Sequence, residues 1–180
     1  MLMWFITFLV LGLKILPSST FSAIHKPTRA SLVTGANGYV GREIVHELLN
    51  QNAGEEQIVC LVRESRVEEE TKYWKDRSAD CILVQPYDML DGGSSSLEDA
   101  LKGVYSPETQ CVVYHVASVF GPTEDHKQTA LDNVKGTADV VLCLAKFPST
   151  KLVLTSSMAA VRGSGQEPKN GECYSYLDWN

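Results

Sequence analysis

Positive charge is scarce in this chain: 16 Lys and Arg stand against 22 Asp and Glu, for a net charge of -6 over 180 residues. No basic stripe interleaved with aromatic residues occurs, so the electrostatic footprint of a nucleic-acid binder is missing. Paired cysteines are missing too. Cys60, Cys81, Cys111, Cys143 and Cys173 include no Cys-x-x-Cys, and the first three fall in apolar runs. An odd set so placed reads as reduced thiols acting as small hydrophobes in a reducing compartment, which excludes a disulfide framework and a zinc site. The four histidines lack metal-ligand spacing, so no metal is expected. There is no internal repeat, and no apolar run reaches the about 20 residues of a membrane-spanning helix.

The longest apolar run is the first, Met1 to Leu13, and Lys14, Lys26 and Arg29 all follow it. That charge order favours a short anchor with the domain on the cytosolic face of the endoplasmic reticulum or another membrane. Small residues at Ser22 and Ala23 leave a second reading open, a targeting peptide cleaved on entry to an organelle. An ordinary buried segment is the third. Residues 1–29 are therefore set apart from the domain that follows.

That domain has ample material for a core, at 44% hydrophobic and 21% charged residues. Its apolar runs alternate with helical patterns. Ser31 to Thr34, Glu56 to Val62, Cys81 to Pro86, Gln110 to Ser118 and Lys151 to Ser157 read as strands. Val40, Ile44, Val45, Leu48 and Leu49 recur on one helix face, Arg63 to Arg77 suits an exposed helix, Ser95 to Gly103 a short one, and Asn133 to Lys146 a long one. Apolar strands separated by helices predict an α/β fold, a Rossmann-type doubly wound parallel sheet of about five strands spanning 30–165. Residues 166–180 read as an irregular tail.

Ligands of such sheets bind outside the carboxyl ends of the strands. The first end carries Thr34, Gly35, Asn37, Gly38, Tyr39, Val40 and Gly41, in the order Thr-Gly-x-x-Gly-x-x-Gly. Glycine there permits a tight turn and close approach of the main chain to a ligand, while the N–H groups of the helix's first turn face an anion. A pyrophosphate fits. The second strand ends at Arg63, where an arginine accommodates a 2′-phosphate and an acidic residue would read a 2′-hydroxyl, which argues for NADP over NAD. Asp88, past the third strand, either accepts from an adenine amino group or caps a turn. Ala117 and Ser118 are small enough for a ribose and nicotinamide to lie against the backbone. His115 reads as a satisfied core histidine. Ser156 and Ser157 are turn formers or, beside a dinucleotide, a hydroxyl to polarise a substrate carbonyl.

The pieces VTGANGYVG, LVRES, YDMLD, VVYHVAS, NVKGTADVV and LVLTSSMAAV together resemble the extended short-chain dehydrogenase/reductase family, in its branch of dihydroflavonol reductases and 3β-hydroxysteroid dehydrogenases. The resemblance spans Leu32 to Val161 and implies a dinucleotide site with Asn133 as a structural asparagine and Ser157 as the catalytic serine. It also implies hydride transfer to or from a small-molecule alcohol or ketone, with a tyrosine moving the proton and a lysine four residues later lowering its pKa. Here the pattern departs. The residues four places past the seven tyrosines are Glu43, Arg77, Asp91, Thr109, Ser118, Asp178 and Asn180, so Tyr-x-x-x-Lys is lacking. The expectation is the cofactor-binding half of an NAD(P)-dependent oxidoreductase, inactive alone. A nucleotide-sugar epimerase or dehydratase is the alternative. A non-catalytic dinucleotide sensor is another; its sheet, ending at the fifth strand, would leave an apolar edge for a partner or for a homodimer.

Overall fold

The computed structural model describes residues 27–51, 56–77, 79–120, 125–157 and 167. Five strands, β1 (Arg29–Thr34), β2 (Glu56–Val62), β3 (Ile82–Pro86), β4 (Gln110–His115) and β5 (Thr150–Leu154), form one sheet in the order β3-β2-β1-β4-β5. Every neighbouring pair is parallel. Four helices connect them: α1 (Tyr39–Gln51), α2 (Val67–Lys75), α3 (Gly93–Val104) and α4 (His126–Leu144). The order steps one way from β1 to β3 and the other way to β4 and β5. A crevice therefore opens between the exits of β1 and β4.

Side-chain alternation builds two cores, one on each face of the sheet. Ala30, Leu32, Val59, Leu61, Cys111 and Val113 pack against Leu97 and Leu101 of α3 and Val140 and Cys143 of α4. Val33, Ile58, Cys60 and Val62 face the other way, against Val45 of α1 and Trp74 of α2. Each fully buried leucine or valine contributes about 1.5–3 kcal/mol of transfer free energy. Strands buried on both faces carry apolar residues toward both, as in Leu32–Val33 of β1 and Ile58–Val62 of β2, which is why the two were legible as strands. The cysteines follow the same logic: Cys60, Cys111 and Cys143 are buried free thiols, and Cys81 is half-buried.

Several element boundaries differ from expectation. The segment from Arg63 is a single 3-10 turn, Glu64–Arg66, followed by α2, and α2 is not simply exposed: Glu70 and Trp74, one turn apart, are buried. Glu70 is accommodated by an ion pair with Arg42 of α1. α3 begins two residues before Ser95, because Gly92 in the left-handed conformation serves as its N-cap, and Gly103 lies inside the helix instead of ending it. α4 begins at His126, seven residues before Asn133, where the Asp125 carboxylate accepts the Gln128 N–H at 2.8 Å. Strands β4 and β5 stop at His115 and Leu154, short of the serines. Val40, expected on the packed face of α1, is exposed. On the outer strand β5, Val153 and Leu154 are about half exposed, at 47% and 49%.

Candidate functional site

The turn from β1 into α1 depends on two glycines. Gly35 has φ +66°, and a Cβ there would stand 3.0 Å from the Ala117 Cα, so the exits of β1 and β4 touch at the point where the strand order reverses. Gly41 is buried in the first turn of α1, where a Cβ would overlap the Gly35 carbonyl oxygen and lie 2.9 Å from the Ala36 Cα. The turn is closed by Gly35 N–H donating to Leu61 O at 2.9 Å and by Gly38 N–H donating to Gly35 O at 2.9 Å. No acidic side chain occupies the first turn of α1. The positive end of the helix is thus left uncompensated, facing the crevice.

The crevice has a volume of about 770 Å³ and is lined from four strand exits. Gly35, Asn37, Gly38, Tyr39, Val40 and Gly41 form one wall, and Arg63 stands at the exit of β2. Arg63 is exposed, and its guanidinium forms no ion pair among the described residues. From β3 come Tyr87, Asp88, Met89 and Leu90. Asp88 Oδ1 accepts the Leu90 N–H at 2.9 Å, so the turn-capping reading of this aspartate is realised while its residue still borders the crevice. Burial, reinforced by Asp139 and Asp88, pushes the Tyr87 hydroxyl up to about 12, which keeps it a proton-bearing donor at neutral pH.

Ala117 and Ser118 complete the opposite wall with Val119 and Phe120, the last 98% exposed. Asn133 does not line the crevice. Its side chain, half-buried on α4, clamps the wall from behind: Oδ1 accepts the Val119 N–H at 2.7 Å and Nδ2 donates to Val119 O at 3.0 Å.

Thr34 also lies outside the lining, with 0% exposure. Its Oγ1 accepts the N–H groups of Val116 at 3.0 Å and Ala117 at 3.1 Å, and it lies 2.9 Å from His115 Nδ1. A hydroxyl has two acceptor sites and one proton, so with both acceptor sites taken its proton goes to Nδ1. His115 is therefore the neutral tautomer with its proton on Nε2. Burial agrees, holding its pKa below the ordinary value of 6.5. The expectation of a satisfied core histidine holds, and the threonine ties β1 to the start of the Val116–Ser118 wall.

Ser157, exposed, follows β5 by three residues and is not among the crevice-lining residues. The structure brings ten of the predicted site residues, Gly35, Asn37, Gly38, Tyr39, Val40, Gly41, Arg63, Asp88, Ala117 and Ser118, to one crevice without it. Leu61, Val62, Tyr87, Met89, Leu90, Val116, Val119 and Phe120 were not anticipated. The signal that finds them is positional: each lies within five residues of the end of a parallel strand. Among the described residues no helix is long and apolar enough to cross a membrane, and no group of His, Cys, Asp and Glu could hold a metal. Residues 1–26, which include the apolar run from Met1 to Leu13, and all of the 166–180 tail except Glu167 lie outside the described residues.

A glycine cradle at the switch point of a 3-2-1-4-5 parallel sheet is a dinucleotide-binding arrangement. The sequence profile of the NAD dependent epimerase/dehydratase family matches residues 31–177. The chain belongs to that family.

Among curated relatives it is 29% identical over 157 residues to an uncharacterized oxidoreductase of Schizosaccharomyces pombe, covering 83% of this chain and 43% of that protein. It is 28% identical over 145 residues to a Synechocystis protein named as a dihydroflavonol 4-reductase, covering 79% of this chain and 36% of the other. The chain thus spans less than half the length of either relative. Among solved structures it resembles UDP-glucuronic acid 4-epimerase from Bacillus cereus in complex with NAD, with a TM-score of 0.54, 20% identity, and 77% and 42% of the two chains covered. It also resembles actinorhodin polyketide ketoreductase with NADPH, with a TM-score of 0.58, 18% identity, and 75% and 55% covered. These likenesses establish the fold, a Rossmann-type parallel α/β sheet.

Proposed function

We propose that the chain is the cofactor-binding half of an NADP-dependent reductase or dehydrogenase acting on an alcohol or ketone. The observation that carries the reading is the glycine turn, whose bare Cα atoms let β1, the β4 exit and the first turn of α1 close to backbone contact at the edge of the crevice. A bound nicotinamide supplies or takes the hydride. The chain's own residues hold and orient: Gly35, Gly38 and Gly41 receive the pyrophosphate with the N–H groups around Asn37, Tyr39 and Val40, and Asp88 borders the adenine. Ala117 and Ser118 leave space for the ribose and nicotinamide, while Thr34 and Asn133 fix the wall that carries them. Ser157 is assigned the substrate oxygen in the longer assembly. Without a Tyr-x-x-x-Lys pair to move the proton, the 180 residues by themselves bind the cofactor without turnover.

Support for NADP over NAD comes from Arg63, an exposed cation on the crevice at the β2 exit. A guanidinium hydrogen-bonded to a 2′-phosphate contributes about 1.5–3 kcal/mol, or roughly 10- to 100-fold in affinity. The test is calorimetric titration of the chain and of Arg63→Ala with NADPH and NADH. NADPH should bind the native chain at least about tenfold more tightly, and Arg63→Ala should remove most of that difference. Equal affinities in the native chain would overturn the NADP reading, and binding of neither dinucleotide would overturn the cofactor reading.

A further inference from the structure

Two contacts on consecutive turns of α4 reach the crevice from behind. Asn133 clamps Val119, on the loop after β4. Three residues later, Gly136 is buried against Met89, on the loop after β3. A Cβ at Gly136 would overlap the Met89 Cγ and lie 2.5 Å from its Sδ and 3.2 Å from its Cε, so the methionine rests on the bare backbone of the helix. Met89 is 7% exposed, part of the core under α3 and α4, and also part of the crevice wall.

A glycine in a helix interior costs about 1 kcal/mol relative to alanine, and the neighbourhood shows what that cost secures. Gly103, inside α3, has no atom within 4 Å of where a Cβ would stand, so nothing there requires glycine. Gly136 is the opposite case. Met89 is a flexible side chain in a residue that also lines the crevice, so a methyl group at 136 must displace it and with it that wall.

Resting on the cofactor reading above, we propose that Gly136 is a positioning residue for the dinucleotide crevice. It seats Met89 against α4 and so sets the depth of the wall beside Asp88, as Asn133 sets the position of the wall beside Ser118. One helix thereby holds two loops at the spacing the cofactor requires.

The test compares the 180-residue chain with Gly136→Ala, Gly103→Ala, Met89→Ala and the double variant Gly136→Ala/Met89→Ala, measuring NADPH affinity by calorimetry and the melting temperature of each. Overpacking of this size should weaken NADPH binding about tenfold in Gly136→Ala. Gly103→Ala should bind as the native chain does. Truncating Met89 removes the clash, so the double variant should bind NADPH as the Met89→Ala single variant does. The melting temperatures distinguish a displaced wall, which weakens binding in a chain that melts as the native one does, from a general loss of stability. A folded Gly136→Ala with native affinity, or a double variant that binds more weakly than Met89→Ala alone, overturns the inference alone. A native chain that binds neither NADPH nor NADH overturns the cofactor reading and this inference with it.

Discussion

Replacing Thr34 with valine keeps the volume of the side chain and deletes one oxygen, which isolates what that oxygen does. Three groups lose a partner together: the Val116 and Ala117 N–H groups and His115 Nδ1. His115 is 2% exposed and its ring nitrogen has little access to water, whereas Val116 and Ala117 are half-buried and recover part of their solvation. An unsatisfied buried polar group costs about 1–3 kcal/mol. Taking the low end for the two amides, the sum is about 3–5 kcal/mol, a large share of the about 5–15 kcal/mol that stabilises a domain. With a urea slope of about 2 kcal/mol per molar, the unfolding midpoint followed by far-UV circular dichroism should fall by about 1.5–2.5 M. Thr34→Ser keeps the oxygen and loses one methyl group, so it should cost only about 1 kcal/mol. The reasoning is refuted if Thr34→Val costs less than Thr34→Ser.

The same junction gives a pH dependence. His115 has a folded pKa below its unfolded value, so the unfolded chain binds a proton first, and the stabilisation present above about pH 6.5 is lost as pH falls toward the folded value, at up to about 1.4 kcal/mol per unit. Urea titrations at pH 7.5, 6.5 and 5.5 should show this slope, and a stability that does not fall over that range would contradict it. For Gly41→Ala, the new methyl meets backbone at Gly35 and Ala36, which cannot swing aside, so both stability and NADPH binding should fall by about 1–3 kcal/mol, read by melting temperature and calorimetry.

What could be read from the chain alone was local. The spacing of Gly35, Gly38 and Gly41 and the apolar runs of β1 and β2 arise from short-range requirements, so pattern and place coincided with the structure. Arg63 was found because it ends a strand. The role of Thr34 was not legible, since its partners lie 81 to 83 residues away and only the parallel pairing of β1 with β4 brings them together. The seat of Met89 on Gly136 was hidden for the same reason. The start of α4 had a local signal that was overlooked, the Asp125 cap three residues before Gln128. Glu70 misled in another way: a carboxylate in a charge-dense segment suggests solvent, but Arg42 on the neighbouring helix makes its burial tolerable. Ser157, read as a hydroxyl beside the dinucleotide, stands three residues past β5 and outside the crevice lining.

The central claim is that a nicotinamide dinucleotide lies in the crevice between the β1 and β4 exits, and hydrogen-deuterium exchange of the chain with and without saturating NADPH tests it most directly. The account requires slowed exchange at residues 35–41 and 116–120, with a smaller effect at 87–90 and none on the far end of the sheet around Glu56 and Gln110. Unchanged exchange at the glycine turn, or protection confined to surfaces away from it, would contradict the account.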